Sequence, residues 1–227
     1  MNSHNDDGDD DERMPLAALP LDPELAACVY TPTGAGLPMI AHPLVHTFLT
    51  IPAWANASLR AKRRAVNEAR AAQDWCAVVF LHERPYRAET ANELWQDAEG
   101  FDSAEWARLW REVWVDSENI NQNLALWDNV FIETTGADWM DDDERMALAA
   151  LPETLTVYRG ECADGGWSWT TSEKVARFFA NRGVNESTGN VYRGKIRRDD
   201  VFAYLLSRNE NEILAMPGKV TDTRNIT

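Results

Sequence analysis

The sequence predicts an α+β chain in which a mostly helical N-terminal module packs on a small β-rich core with one helix. Three observations carry this. Apolar residues recur at helical spacing from about residue 57 to residue 151. After Pro152, β-branched and aromatic residues come in short runs separated by turns. A hydrophobic content of 44% over 227 residues is enough to bury a sizeable core. The boundaries follow: residues 1–14 a disordered acidic tail, 15–151 the mostly helical module, and 152–227 the β-rich core, the last two forming one compact unit.

The tail holds Asp6, Asp7, Asp9, Asp10, Asp11 and Glu12 with almost nothing apolar to bury. It lacks the turn glycine and spaced terminal glutamate of a calcium loop, so a solvated tail is the favoured reading. From Pro15 to Pro52 the density of proline and glycine predicts irregular structure with at most a short helix. Ala57 to about Ala72 predicts a helix with Ser58 as N-cap. Trp75 to Leu81 is a short apolar run that periodicity leaves open between strand and buried helix.

Asp102-Ser103-Ala104-Glu105 is a capping-box start, after which Trp106, Leu109, Trp110, Val113 and Trp114 line one face. Ser117 is expected to cap a further helix whose Ile120, Leu124, Trp127 and Phe131 form one buried stripe. Tryptophans can stack a nucleotide, but helical periodicity favours a core role. Asp141 to about Leu151 predicts another helix with carboxylates at its positive end.

In the core, Thr154 to Tyr158 reads as a strand that ends at Arg159-Gly160. Gly165-Gly166 marks a turn, and Trp167 to Thr170 a second strand. Ser172 caps a helix from Lys174 to Arg182, with Val175, Phe178 and Phe179 on its apolar face. Asn190–Ile196, Val201–Leu206 and Glu212–Met216 read as further short strands.

Composition excludes several classes of function. A net charge of −15, from 37 acidic and 22 basic residues, argues against stable duplex nucleic-acid binding. The basic cluster Arg60, Lys62, Arg63, Arg64 and Arg70 reads as a solvated helix face. Cys28, Cys76 and Cys162 are unevenly spaced without a CxxC pair, which suggests neither a disulfide framework nor a zinc site and fits a reducing compartment. An acidic start and the lack of any run near ~18 apolar residues predict neither leader nor membrane span, so a cytoplasmic protein is expected.

Three short words in the last third stand out: Tyr158-Arg159-Gly160, Trp169-Thr170-Thr171-Ser172 and Glu210-Asn211-Glu212. In order and spacing they resemble the signature of the arginine-serine-glutamate class of ADP-ribosyltransferases. "VYRG" ending at Gly160 is similar to the family's first strand, which ends in an arginine. The hydroxyl word departs by placing Thr170 where the first serine of an aromatic-x-Ser-Thr-Ser motif stands, and an alternative phase starts at Ser168. "ENEILAMPG", Glu210 to Gly218, resembles the family's Glu-x-Glu followed by apolar residues, proline and glycine. The resemblance covers about residues 154–220.

It implies an NAD-dependent mono-ADP-ribosyltransferase that moves ADP-ribose from NAD, as substrate, to a macromolecular acceptor, foremost protein arginine, and releases nicotinamide without a metal. Glu212 stands where the family has its catalytic glutamate, which binds the nicotinamide-ribose 2′-hydroxyl and stabilises oxocarbenium-like charge. Glu210 serves the acceptor, because a guanidinium is a poor nucleophile until a carboxylate orients it and takes its proton. Glu210 and Glu212, two apart on a strand, are expected to project to one side and so line one cleft wall. The Arg159 fork suits a pyrophosphate. The Gly160 backbone is expected to meet the nicotinamide carboxamide, for which a Cβ would be a hindrance. Thr170, Thr171 and Ser172 are expected to orient the ribose or hold the catalytic glutamate, and Trp169 and Phe178 to offer nicotinamide an apolar wall.

Chains of this resemblance occur as bacterial toxins, effectors and phage proteins. Two alternatives remain: an NAD glycohydrolase, with water as acceptor, and a non-catalytic acidic binding protein on the same fold. His82-Glu83-Arg84 lacks a nucleophile motif beside it. His42 and His46 have helical metal-ligand spacing but are separated by Pro43, so surface or structural roles are favoured for both groups.

Overall fold

The computed structural model describes residues 19–34, 36–97, 102–118, 120–160, 166–182 and 189–227. The expectations for the acidic tail, for Cys162 and for Gly165 lie outside these residues. The chain is a mixed α+β protein that divides into two compact units, Met1–Thr90 and Ala91–Thr227. The boundary read from composition at residues 151/152 falls inside the second unit.

In the first unit, Asp22 accepts from the Glu24 amide and opens helix α1 (Pro23–Ala26). Strands β1 (Val29–Tyr30), β2 (Met39–His42) and β3 (Val45–Phe48) then form an antiparallel sheet in the order β1-β2-β3. This corrects the expectation of irregular structure. Strands of two to four residues fit between the prolines and glycines, which end up in the turns.

Helix α2 (Pro52–Ala71) starts at Pro52 rather than Ala57, because proline at the first turn loses no hydrogen bond and presets φ. Ser58 therefore lies inside the helix and caps nothing. Leu59, Val66 and Ala69 are buried, while Arg60, Arg63, Arg64 and Arg70 form the expected solvated face. The run left open between strand and helix is helix α3 (Trp75–Leu81), fixed at its start by Asp74, whose carboxylate accepts from the Ala77 amide at 2.9 Å. Helix α4 (Arg87–Asp97) crosses the boundary between the units.

The second unit contains helices α5 (Ser103–Asp116), α6 (Leu124–Glu133), α7 (Gly136–Trp139) and α8 (Asp142–Ala150). Both α5 and α8 begin with reciprocal capping boxes, Asp102 with Glu105 and Asp141 with Glu144. Ser117 closes α5 instead of opening the next helix, its hydroxyl donating to the Val113 carbonyl at 2.7 Å. Trp127 and Phe131 of α6 are buried as the stripe predicts, and Val130 joins them, but Leu124 is 43% exposed.

The tryptophans of these helices are core. Trp114 packs edge-on against Trp127 and Phe131, with ring centroids at 5.1 and 5.3 Å, and Phe131 stacks on Trp167 at 4.2 Å. Such aromatic pairs add to the area they bury by about 0.5–1.5 kcal/mol each.

The strands form one antiparallel sheet: β4 (Thr154–Gly160), β5 (Ser168–Thr170), β6 (Val191–Arg197), β7 (Val201–Leu205), β8 (Glu212–Ala215) and β9 (Thr221–Asn225), in the order β7-β8-β5-β4-β6-β9. Helix α9 (Glu173–Ala180) follows β5, with Ser172 as its N-cap. Strand β9 was not anticipated, because its five residues are exposed and give no apolar signal. Among the described residues no helix is long and apolar enough to cross a membrane. The adjacency of β8, β5 and β4 sets the three sequence words side by side.

Candidate active site

Glu212 is the first residue of β8 and is only 6% exposed. It pairs with Thr170 of β5, which in turn pairs with Tyr158 of β4, so these three side chains share one face of the sheet. Its Oε1 accepts two hydrogen bonds, from Ser168 Oγ at 2.5 Å and from the Trp114 indole Nε1 at 3.1 Å. Burial pushes the Glu212 carboxyl above the ordinary carboxylate range. The Ser168 hydrogen bond, the Arg208 charge and the Trp114 hydrogen bond oppose this shift, and Glu210 adds to it. The result is a buried carboxylate with one oxygen held by neutral donors. Groups with such shifts cluster at functional sites, although structural networks also produce them.

Glu210 is not on the strand, which corrects the expected geometry of the carboxylate word. It lies in the turn before β8, between Asn209 and Asn211, which adopt left-handed φ of 55° and 47°. Asparagine tolerates this conformation better than most residues. The two carboxylates are nevertheless linked by Arg208, whose Nε lies 3.5 Å from Glu210 Oε2 and whose Nη2 lies 3.7 Å from Glu212 Oε2.

The hydroxyl word divides its work. Thr170 Oγ1 donates to the Glu210 carbonyl at 2.5 Å and accepts from the Ser172 amide at 3.0 Å. Ser172 Oγ accepts from the Val175 amide as a helix cap, and the Thr171 amide donates to the Asn211 carbonyl at 3.2 Å. The hydroxyl that reaches the Glu212 carboxylate is therefore Ser168, the alternative phase of the motif.

Arg159 and Trp169 lie one residue from the paired Tyr158 and Thr170, so strand alternation sends them to the other face from Glu212. Arg159 joins the site through backbone: its Nη1 donates to the Ser168 carbonyl at 2.9 Å. Its guanidinium passes over Gly166, where a Cβ would stand 1.8 Å from Nη1.

Gly160 does permit a close approach, but α9 makes it. A Cβ there would meet the Ala176 carbonyl oxygen at 1.7 Å. Phe178 is 65% exposed on α9, whose buried residues are Ala176 and Ala180, which corrects the apolar face assigned to it.

The structure thus brings together Glu212, Glu210, Thr170, Thr171 and Ser172, with Arg159 behind Ser168. It leaves Trp169 on the far face and Phe178 toward solvent. Sequence reasoning missed Trp114 and Arg208. Arg208 was two residues from the carboxylate word, whereas helical periodicity marked Trp114 only as core.

Among the described residues no group of three or more His, Cys, Asp or Glu could hold a metal. His42 and His46 are on two paired strands, not one helix turn. His42 Nε2 contacts Glu24 at 2.7 Å, and its Nδ1 accepts from the Leu44 amide at 3.0 Å. His82 Nδ1 bonds to the Val78 carbonyl at 2.7 Å, and Glu83 pairs with Lys62 at 2.6 Å. His42, His82 and Glu83 thus have structural partners. No protein-family model, curated protein or solved structure matches this chain.

Proposed function

We propose that the chain is an NAD-dependent ADP-ribosyltransferase that transfers ADP-ribose to a macromolecular acceptor, foremost protein arginine, and releases nicotinamide. The observation that carries the reading is the Glu212 carboxylate. It is buried, held by Ser168, and set on a strand two places from the one that carries Arg159. In this reading Glu212 Oε2 accepts from the 2′-hydroxyl of the nicotinamide ribose. Its negative charge stabilises the positive charge that builds at C1′ as the bond to nicotinamide breaks.

Glu210 then orients the acceptor guanidinium and takes a proton from it, which a cation of such high pKa needs before it can attack. Arg159, drawn to the Ser168 carbonyl, acts first as a brace for β5. Its fork serves a pyrophosphate only if it swings away from that carbonyl.

One observation favours a second reading, NAD hydrolysis. Arg208 spans Glu210 and Glu212, so a guanidinium of the chain itself stands where the acceptor's would go, and water needs less room.

Incubation with adenylate-labelled NAD separates the outcomes. Label on an arginine-bearing protein or on agmatine supports transfer, and label only in free ADP-ribose supports hydrolysis. No nicotinamide release under either condition overturns both readings and leaves a binding protein.

A further inference from the structure

We infer that Trp114 is a positioning residue of the active centre, and that its indole N–H divides the labour between the two oxygens of Glu212. The inference rests on the catalytic reading of Glu212 given above. Trp114 comes from α5, far upstream of the sequence words, and its Nε1 donates at 3.1 Å to the same Oε1 that accepts from Ser168 Oγ at 2.5 Å. Both donors therefore fall on one oxygen. Oε2 takes neither, and faces Arg208 Nη2 at 3.7 Å. A carboxylate held in this way has a fixed rotation about its last bond. One oxygen is spent on the protein and the other is presented in a defined direction.

Two donors of different kinds do different things. A serine hydroxyl can rotate and turn its proton elsewhere, so by itself it leaves the carboxylate free to follow it. An indole N–H cannot. Its direction is set by the ring, and the Trp114 ring is 1% exposed and wedged between Trp127, Phe131 and Trp139, with centroids at 5.1, 5.3 and 6.3 Å. The aromatic core of the helices is therefore the rigid support behind the carboxylate, the kind of locked shell that a site needs to hold its geometry.

Both donors also favour the ionised carboxylate against the burial that disfavours it. Removing the N–H should make Glu212 harder to ionise.

The test is Trp114→Phe, which keeps an aromatic ring and removes the N–H. For nicotinamide release, kcat is expected to fall about tenfold with KM for NAD nearly unchanged, the pattern of an interaction made mainly in the transition state. The acid limb of the kcat profile is expected to move up by about one pH unit. A fall in kcat with an unmoved acid limb, or a rise in KM alone, overturns the assignment and leaves Trp114 as core.

The smaller ring leaves a cavity, which costs stability and can take the variant below what an assay needs. A second measurement on the full chain covers that case. With ¹⁵N-labelled tryptophan, the Trp114 indole N–H resonance should titrate with Glu212 in the wild type and lose that titration in Glu212→Gln. An indole resonance that is the same in both proteins across pH overturns the inference. Absence of nicotinamide release by the wild type is a different failure, that of the functional reading, and leaves the indole titration to judge the hydrogen bond alone.

Discussion

The Thr170 hydroxyl donates to the backbone carbonyl of Glu210 at 2.5 Å, so the middle word of the motif grips the last one through its main chain. The Thr171 amide adds a second tie, to the Asn211 carbonyl at 3.2 Å. Together they hold the turn that aims Glu210, and loss of the Thr170 hydroxyl would free it. Thr170→Val is expected to reduce transfer to an arginine acceptor more than it reduces NAD hydrolysis. Parallel assays of label on agmatine and in free ADP-ribose measure the split, and equal losses would count against it.

Glu212→Gln is expected to cost about 10²-fold or more in nicotinamide release, since it removes the charge that the transition state needs. The same substitution should stabilise the fold at pH above the raised Glu212 value. The Glu212 carboxyl is raised in the folded state, chiefly by burial, so the folded protein holds that proton more tightly than the unfolded chain. The stability it contributes is full at low pH and is lost as pH rises from the unfolded carboxylate range through the raised folded value. Thermal melting of both proteins across pH should show the glutamine variant ahead on the alkaline side of the raised folded value, with the gap closing as pH falls below it. A gap that widens in acid would refute the sign.

For Glu210→Gln the expected outcome is loss of transfer to arginine with hydrolysis partly retained. Glu210 serves the acceptor in the proposed mechanism and does not touch the Glu212 donors. Matching losses of both activities would remove it from that role.

Arg208→Ala removes the cation between the two carboxylates. If the guanidinium competes with an acceptor, KM for agmatine should fall severalfold. Steady-state kinetics at saturating NAD would show it. An unchanged KM would mean that Arg208 is a bystander to acceptor binding.

Gly160→Ala tests how α9 sits on β4. The new methyl would lie 1.7 Å from the Ala176 carbonyl oxygen and 2.6 Å from the Ala180 nitrogen, both backbone atoms that cannot step aside. Overpacking of this kind costs about 1–3 kcal/mol or more. Denaturant titration should show the loss, and an unaltered midpoint would contradict the packing.

The β-rich third was legible in the sequence because its strands are short, β-branched and bounded by turns. Thr154–Gly160 and the Ser172 cap appear where the pattern put them. The Pro15–Pro52 stretch was not, because β1 to β3 are too short for any period to register. At the site, the linear words located Glu212 and the hydroxyls but not the division among them. Which of Ser168, Thr170 and Ser172 reaches a carboxylate depends on strand register and on the helix cap, and both are decided by partners elsewhere in the chain. Trp114 lay further out of reach: its spacing gave its burial correctly, and burial hid the one polar atom that matters.

Gly166 differs from Gly160 in the nature of its obstacle. A methyl at 166 would strike the guanidinium of Arg159, the far end of a flexible side chain, rather than any backbone. The fold can absorb that substitution where it cannot absorb the other, and the displaced arginine would let go of the Ser168 carbonyl. Residue 166 is thus a remote handle on Arg159. Of the two glycines, one answers to the architecture and the other to a single side chain, so drift at 166 would erode the site while leaving the molecule intact.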